Sequence, residues 1–368
     1  MSSLFESFKL KDVTLRNRIA VPPMCQYSAI DGVPNDWHFA HYSGLARGGA
    51  GLVIVEATGV SSDGRITNAC TGLWNDEQAI EHAKIAKSIK KAGAVPGIQI
   101  AHAGMKASAN KPWEGDDHIP ADHPDAWRTI APSAVSFGTE ALNRVPRAMT
   151  KDDISRVQND FVAAARRSLD VGYEWLELHF AHGYLAQSFF SRHNNQRTDE
   201  YGRQAGNLGR YLLETVRAVR KVWPENLPFT MRFGVLEFDG HDEETLQEAI
   251  SLTRKFKEDG LDFMSVSIGF TTPKAKIPWG PAFLAPYARR IKEEACIPVG
   301  SAWGFDTPSL ADASIRNGDL DIVFVGRAHL ANPHWAYRAA LDLGIKQPEQ
   351  ILPDQYKFWL ERYHMRNA

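Results

Sequence analysis

Eight short apolar runs, spaced along nearly the whole length and separated by amphipathic stretches, limit what this 368-residue chain can fold into more than any other feature does. They lie at 19–24, 51–57, 95–101, 175–180, 229–235, 263–268, 297–302 and 322–325. Runs this short, rich in Val, Ile and Phe and bounded by turn residues, read as strands covered on both faces. The stretches between them carry apolar residues at helical spacing. In 150–171, Thr150 and Asp153 form a capping-box pattern, and Ile154, Val157, Phe161 and Ala165 fall on one face. Stretches 207–222, 242–259, 281–295 and 307–317 read as further crossover helices. Eight strand–helix units predict an α/β fold, a (β/α)8 TIM barrel forming a single domain over 1–368. A doubly wound sheet is the alternative, but no Gly-x-Gly-x-x-Gly opens a helix after the first strand, and no repeat of 20–50 residues is evident.

One insertion interrupts the pattern. Residues 107–149 are rich in Pro, Asp, His and Trp without periodicity, too long for a tight loop, and predict a cap beside the barrel mouth after the third strand. The Trp113-Glu-Gly-Asp-Asp piece fits either substrate contact or packing, and packing is the favoured reading. A net charge of −2 with no basic tract gives no electrostatic reason to expect nucleic acid or a membrane surface as partner. The start of the chain lacks the pattern of a secretory signal, and no window reaches the length of a membrane span, so the expectation is a cytoplasmic protein. Cys25, Cys70 and Cys296 are odd in number and far apart, which fits neither a disulfide framework nor a zinc or iron–sulfur site.

Chemistry concentrates where the fourth run ends. His179, His182 and Tyr184 fall within six residues, on backbone leaving a strand beside Gly183, and so are placed to converge on one small molecule. His-x-x-His also fits a metal pair, but no third or fourth ligand stands out, and no metal is expected. Burial as satisfied core histidines is the remaining alternative.

Four blocks carry a resemblance. His179-x-x-His182-Gly-Tyr184-Leu followed by Asn195-x-Arg197-Thr-Asp199-x-Tyr201-Gly202 resembles the signature of the Old Yellow Enzyme family of FMN-dependent ene-reductases. Pro22-Pro23-Met24-Cys25-Gln26-Tyr27, Gln99-Ile-Ala-His102-Ala-Gly104 and Val325-Gly326-Arg327 resemble its other blocks. Cys25 and Tyr27, with Trp303 and Trp359, are similar to the bacterial xenobiotic reductase A branch. The resemblance spans nearly the whole chain and implies an oxidoreductase that binds FMN and is reduced by NADPH or NADH.

It also implies roles, and Cys25, Ala57, Gln99, His179, Arg232 and Gly326 fall at the carboxyl ends of strands, where barrels place their sites. Pro22, Pro23, Met24 and Cys25 would form the bed under the isoalloxazine, with small Ala57 letting the ring approach. Gln99 would donate to and accept from the pyrimidine edge, Arg232 would be the cation near N1 and C2=O, and Gly326 and Arg327 would hold the phosphate. Cys25 would tune potential rather than attack. His179 and His182 would grip the carbonyl or nitro oxygen of an activated alkene while hydride passes from flavin N5 to the β-carbon, and Tyr184 would protonate the α-carbon. Tyr27 is read as substrate-binding, as are Trp303, walling the cavity, and Trp359, in a C-terminal segment (345–368) expected at the interface of a homodimer or higher oligomer. The alternatives are another FMN barrel reductase and a flavin-binding sensor without turnover.

Three positions depart from the family pattern: Met105 where Arg is usual, Arg203 for a second Gly, and Leu208 for an Arg. They put local loop geometry in question, since Arg at 203 excludes a cheap positive φ, and Met105 bears on a phosphate or interface contact.

Overall fold

Side chains along Trp175–Phe180 divide by parity, as a strand demands. Leu176, Leu178 and Phe180 join the large apolar cluster beneath the helices, whereas Trp175 belongs to a separate cluster with Leu52, Ile54, Phe263, Ile322 and Phe324. Two clusters, one on each side of the same strands, are what a closed barrel produces. The computed structural model, which describes residues 3–204 and 206–367, shows it: eight parallel strands close in sequence order. They are β1 (Ile19–Val21), β2 (Leu52–Gly59), β3 (Val95–Ala101), β4 (Trp175–Phe180), β5 (Phe229–Gly234), β6 (Phe263–Ser267), β7 (Val299–Ser301) and β8 (Ile322–Phe324). The expected barrel is therefore the fold; residues 1, 2, 205 and 368 of the expected domain lie outside the described residues.

Two strands are shorter than their apolar runs for a covalent reason. Pro22 and Pro23 have no N–H to donate to the ladder, so β1 stops at Val21, and Pro298 delays the start of β7. The released residues 22–29 become a loop at the mouth instead.

Helices follow most strands: α1 (Asp36–Arg47), α2 (Asp76–Lys91), α3 (Lys151–Asp170), α4 (Arg210–Arg220), α5 (Asp242–Glu258), α6 (Ala285–Ala295), α7 (Pro308–Arg316) and α8 (Trp335–Asp342). The capping box of α3 is present as read, with Thr150 and Asp153 satisfying each other's backbone N–H groups. Sequence patterning did not single out α1 and α2, yet both carry boxes of their own, Asn35 with His38 and Asn75 with Gln78.

Inside the barrel, size and polarity change with height. Trp175, Phe263 and Phe324 fill the bottom, where a hairpin of Phe8–Leu10 and Val13–Leu15 closes the end and Phe8 meets Phe263 edge-on at 6.4 Å. Above that layer the inward positions are Gln99, Glu177 and His179, Thr230 and Arg232, and Ser265 and Ser267. A packed apolar floor under a small, polar upper storey leaves room for a ligand at the carboxyl ends of the strands.

The 107–149 insertion lies after β3, with a two-residue parallel pair, Ile130–Ala131 and Arg147–Ala148, and Trp127 Nε1 donates to Asp63 O at 3.0 Å. A last helix, α9 (Asp354–Asn367), ends the described chain. Among the described residues no helix is long and apolar enough to cross a membrane.

Candidate active site

β4 delivers the central group. His179 is its penultimate residue, and the backbone then turns through His182 (φ 63°) and Gly183 (φ 72°), both left-handed. A Cβ on Gly183 would stand 2.3 Å from Phe270 O, so glycine is required there both for its φ and for space. The turn folds Tyr184 back: the rings of His182 and Tyr184 each lie 4.9 Å from that of His179, nearly perpendicular to it. Two imidazoles and a phenol thus share one spot. Both imidazoles are held far below the usual histidine range, by burial first and the Arg232 charge second, so they are neutral at pH 7. Burial pushes the Tyr184 phenol well up, which keeps it protonated.

Supporting atoms fix the imidazoles. His182 Nε2 is 2.8 Å from Ser267 Oγ on β6. Lys106 Nζ donates to His182 O at 2.9 Å and to Phe270 O at 2.8 Å, tying two left-handed residues together across the mouth. Phe270, Trp279 and Trp303 form an aromatic wall against His182, with Trp303 at 6.2 Å from the imidazole and Trp279 at 5.3 Å from Trp303. Trp303, read as a wall of the substrate site, stands beside His182.

The opposite side is built by the 22–29 loop. Tyr27 has φ 47° and lies close enough to the Cys25 thiol to hydrogen-bond with it; that thiol, then burial, raises the Tyr27 phenol. Burial likewise raises Cys25, so the thiol is not poised as a nucleophile. The register of β2 against β3 slips between Val55 and Thr58. Glu56, which simple alternation would send inward, instead accepts from Tyr42 Oη of α1 at 2.7 Å and from Gln26 N at 3.1 Å, anchoring the loop next to Ala57. Trp113 of the insertion meets Tyr27 edge-on at 5.9 Å while remaining 65% exposed, so it packs on the mouth rather than in a core.

Deeper in the barrel, Gln99 Nε2 donates to Glu177 Oε1 at 2.8 Å, and Arg232 pairs in register with His179. Arg232 Nε, His179 Nδ1, Glu177 Oε2 and Trp303 Nε1 are buried without a hydrogen-bond partner. Orphaned donors and acceptors are rare in native interiors, and four at one barrel mouth mark a place where a polar ligand belongs. At β8, a Cβ on Gly326 would come within 3.4 Å of Pro22 Cγ and 3.5 Å of Met24 Sδ, which brings Pro22, Met24 and Gly326 together as one cradle. Arg327 is exposed at the start of the short helix Arg327–Ala331. Trp359 is not brought to this mouth: it lies on α9, 68% exposed. No group of three or more His, Cys, Asp or Glu side chains among the described residues is placed to hold a metal ion.

The three departures settle locally. Arg203 avoids positive φ and pairs with Glu248 at 2.7 Å, besides donating to Phe190 O. Leu208 packs against the core, and Met105 is buried, 1% exposed.

Residues 3–345 match the NADH:flavin oxidoreductase / NADH oxidase family. The chain belongs to the Old Yellow Enzyme family. It is 39% identical to an NADPH dehydrogenase of Geobacillus sp. (strain WCH70) over 93% of this chain and 94% of that one. Among solved structures it is similar to morphinone reductase (TM-score 0.78, 25% identity, 93% of this chain and 90% of that one). An old yellow enzyme homologue from Zymomonas mobilis shares the fold (TM-score 0.77, 24% identity, 94% and 93%). As a member of the Old Yellow Enzyme family the protein is an oxidoreductase that uses FMN with a nicotinamide reductant, and the orphaned polar atoms beside Gln99 and Arg232 fit that cofactor. Lys106, Glu177, Ser267, Phe270 and Trp279 escaped the sequence reading. Glu177 had a signal, since it shares the strand face of His179 two residues on.

Proposed function

We propose that the protein is an ene-reductase, reducing activated C=C bonds of α,β-unsaturated carbonyl and nitro compounds. The observation that carries this is the convergence of His179, His182 and Tyr184 at one end of the barrel. When bound, FMN supplies hydride at N5, replenished from NADPH or NADH.

The chain's own residues do the rest. Gln99 and Arg232 would line the flavin's pyrimidine edge, Pro22, Pro23, Met24, Cys25 and Ala57 would form its bed, and Gly326 and Arg327 would hold its phosphate. Neutral His179 and His182 donate to the acceptor oxygen, where negative charge grows as the β-carbon takes hydride; donors already in place stabilise that charge without reorganisation. Tyr184, still protonated, gives its hydroxyl proton to the α-carbon and recovers it from solvent. Tyr27 on one side and Trp303 on the other favour flat acceptors and exclude water. The terminal helix exposes Tyr356, Phe358, Trp359 and Tyr363, an aromatic surface that suits a homodimer contact with Trp359 turned toward the second copy. Dependence on reduced nicotinamide ties this reading to the cytoplasm.

The test is anaerobic stopped-flow on the yellow protein: bleaching by NADPH, then recovery of colour on adding cyclohexenone. His179→Ala and His182→Ala should slow the recovery phase by roughly 10²–10³-fold, the usual loss for an oxyanion donor, with FMN retained. A bleached protein that cyclohexenone leaves bleached sinks the proposal.

A further inference from the structure

Glu177 is a buried carboxylate in the upper storey of the barrel that the reaction above leaves without a task. It is fully buried on β4, in register with Gln99 of β3 on one side and Thr230 of β5 on the other. Glu177 and His179 lie on one strand face two residues apart, and His179 is in register with Arg232, so Glu177 and Arg232 are diagonal neighbours, within reach of long side chains. One oxygen, Oε1, accepts from Gln99 Nε2 at 2.8 Å; the other, Oε2, has no partner, and neither has Arg232 Nε.

A buried carboxylate is costly unless something uses it. Two consequences follow from where this one sits. Because Gln99 spends an N–H on Glu177, its amide cannot flip, and its carbonyl and second N–H are presented in a fixed order. Because the carboxylate stands diagonal to Arg232, it offsets part of the guanidinium charge in the layer immediately beneath the pyrimidine edge. The carboxylate thus opposes the very charge that would draw electrons onto a flavin lying there.

We propose that Glu177 is a positioning residue for the flavin and a brake on its reduction potential: it locks the Gln99 amide and, when ionised, holds the potential below what Arg232 alone would set. This rests on FMN lying along Gln99 and Arg232. Burial, opposed by Arg232 and Gln99, raises the Glu177 carboxyl to about 7, so the brake is released as pH falls. The groups facing it are Gln99, Thr230 and Arg232. Of these only Arg232 carries charge, and its guanidinium does not titrate in this range.

Two variants separate the two roles. Glu177→Gln removes the charge and keeps an acceptor for Gln99, whereas Glu177→Met removes both. Midpoint potentials of the bound FMN, measured by spectroelectrochemical titration, should be higher in both variants than in wild type at pH 8.5 and should converge on wild type at pH 5.5. FMN affinity should stay within about threefold of wild type in Glu177→Gln and fall about tenfold in Glu177→Met, a loss comparable with one hydrogen bond to a charged group. Either variant alone reports on the potential if the other fails to fold. Unchanged potentials at pH 8.5, or a difference of the same size at both pH values, overturn the charge role; equal FMN affinity in the two variants overturns the positioning role. Arg232→Met is the control for the underlying placement: if it leaves FMN affinity untouched, the flavin does not lie where this argument puts it, whatever Glu177 does.

Discussion

Tyr184 and Lys106 show how single side chains are set by what surrounds them. Burial keeps the Tyr184 phenol protonated, so its removal should be felt only where a proton is delivered. Tyr184→Phe is expected to leave the NADPH half-reaction near wild type and to slow reoxidation by enones by at least tenfold, in the range of a lost general acid; equal slowing of both half-reactions would reveal a packing effect instead. Lys106 acts one step away, by clamping His182 O and Phe270 O. Burial lowers its ammonium to about 8, so the clamp is fully charged at pH 7 and loses its proton above pH 8. In Lys106→Met the KM for cyclohexenone should rise roughly tenfold, as for one lost charged hydrogen bond. Wild-type KM should climb between pH 7 and 9 while the variant stays flat; parallel profiles would refute the clamp.

At the scale of elements, the helices are held at their ends as much as by their apolar faces. Thr150 accepts from Asp153 N at 3.1 Å, and the Asp153 carboxylate returns the bond to Thr150 N at 2.7 Å while pairing with Arg147. The Arg147 hydrogen bonds hold Asp153 far below the usual carboxylate range. Thr150→Ala should cost about 1 kcal/mol of unfolding free energy, read from urea denaturation, with kcat unchanged. That box was legible because both partners lie within four residues. The same sign stood before α1 and α2, where Asn35 and Asn75 cap with His38 and Gln78; His at the third position is an unusual closing residue and hid the first. Arg203 ran the other way. Its substitution for glycine suggested a strained loop, but the backbone there needs no positive φ, and the guanidinium finds Glu248, 45 positions on.

For the whole molecule, buried titratable groups set how stability follows pH. Burial holds His38, His41 and His329 at about 4 and His82 at about 3, with His179 and His182 also far below normal. Each binds a proton in the unfolded chain near pH 6 that it does not bind when folded, so these six contribute stability that grows as pH rises toward 6.5. Glu56, Glu177 and Glu237, raised to about 7, act oppositely: folded, they hold protons that the unfolded chain has released, and their contribution fades as pH rises through 7. Histidines outnumber carboxyls two to one in this set. The apoprotein should therefore gain stability from pH 5 to 6.5, at up to about 1.4 kcal/mol per pH unit for each net proton, and level off between pH 6.5 and 7.5, where the two sets nearly cancel. Denaturation curves across that range test this, and a fall in stability from pH 5 to 6.5 would contradict it.

The barrel was readable from the chain alone, because alternation of short apolar runs with amphipathic stretches is a local pattern and few architectures satisfy eight repeats of it. His179, His182 and Tyr184 were readable for a similar reason: six residues of backbone at a strand end keep them together whatever else the chain does. What needed the tertiary structure were partnerships between distant strands and loops. Lys106 meets His182 from 76 positions away and Phe270 from 164, and Gln99 meets Glu177 across 78. No spacing rule encodes such pairs, since closing the barrel, not the local sequence, decides which inward-facing side chains share a layer and which polar atoms are left without partners at its mouth.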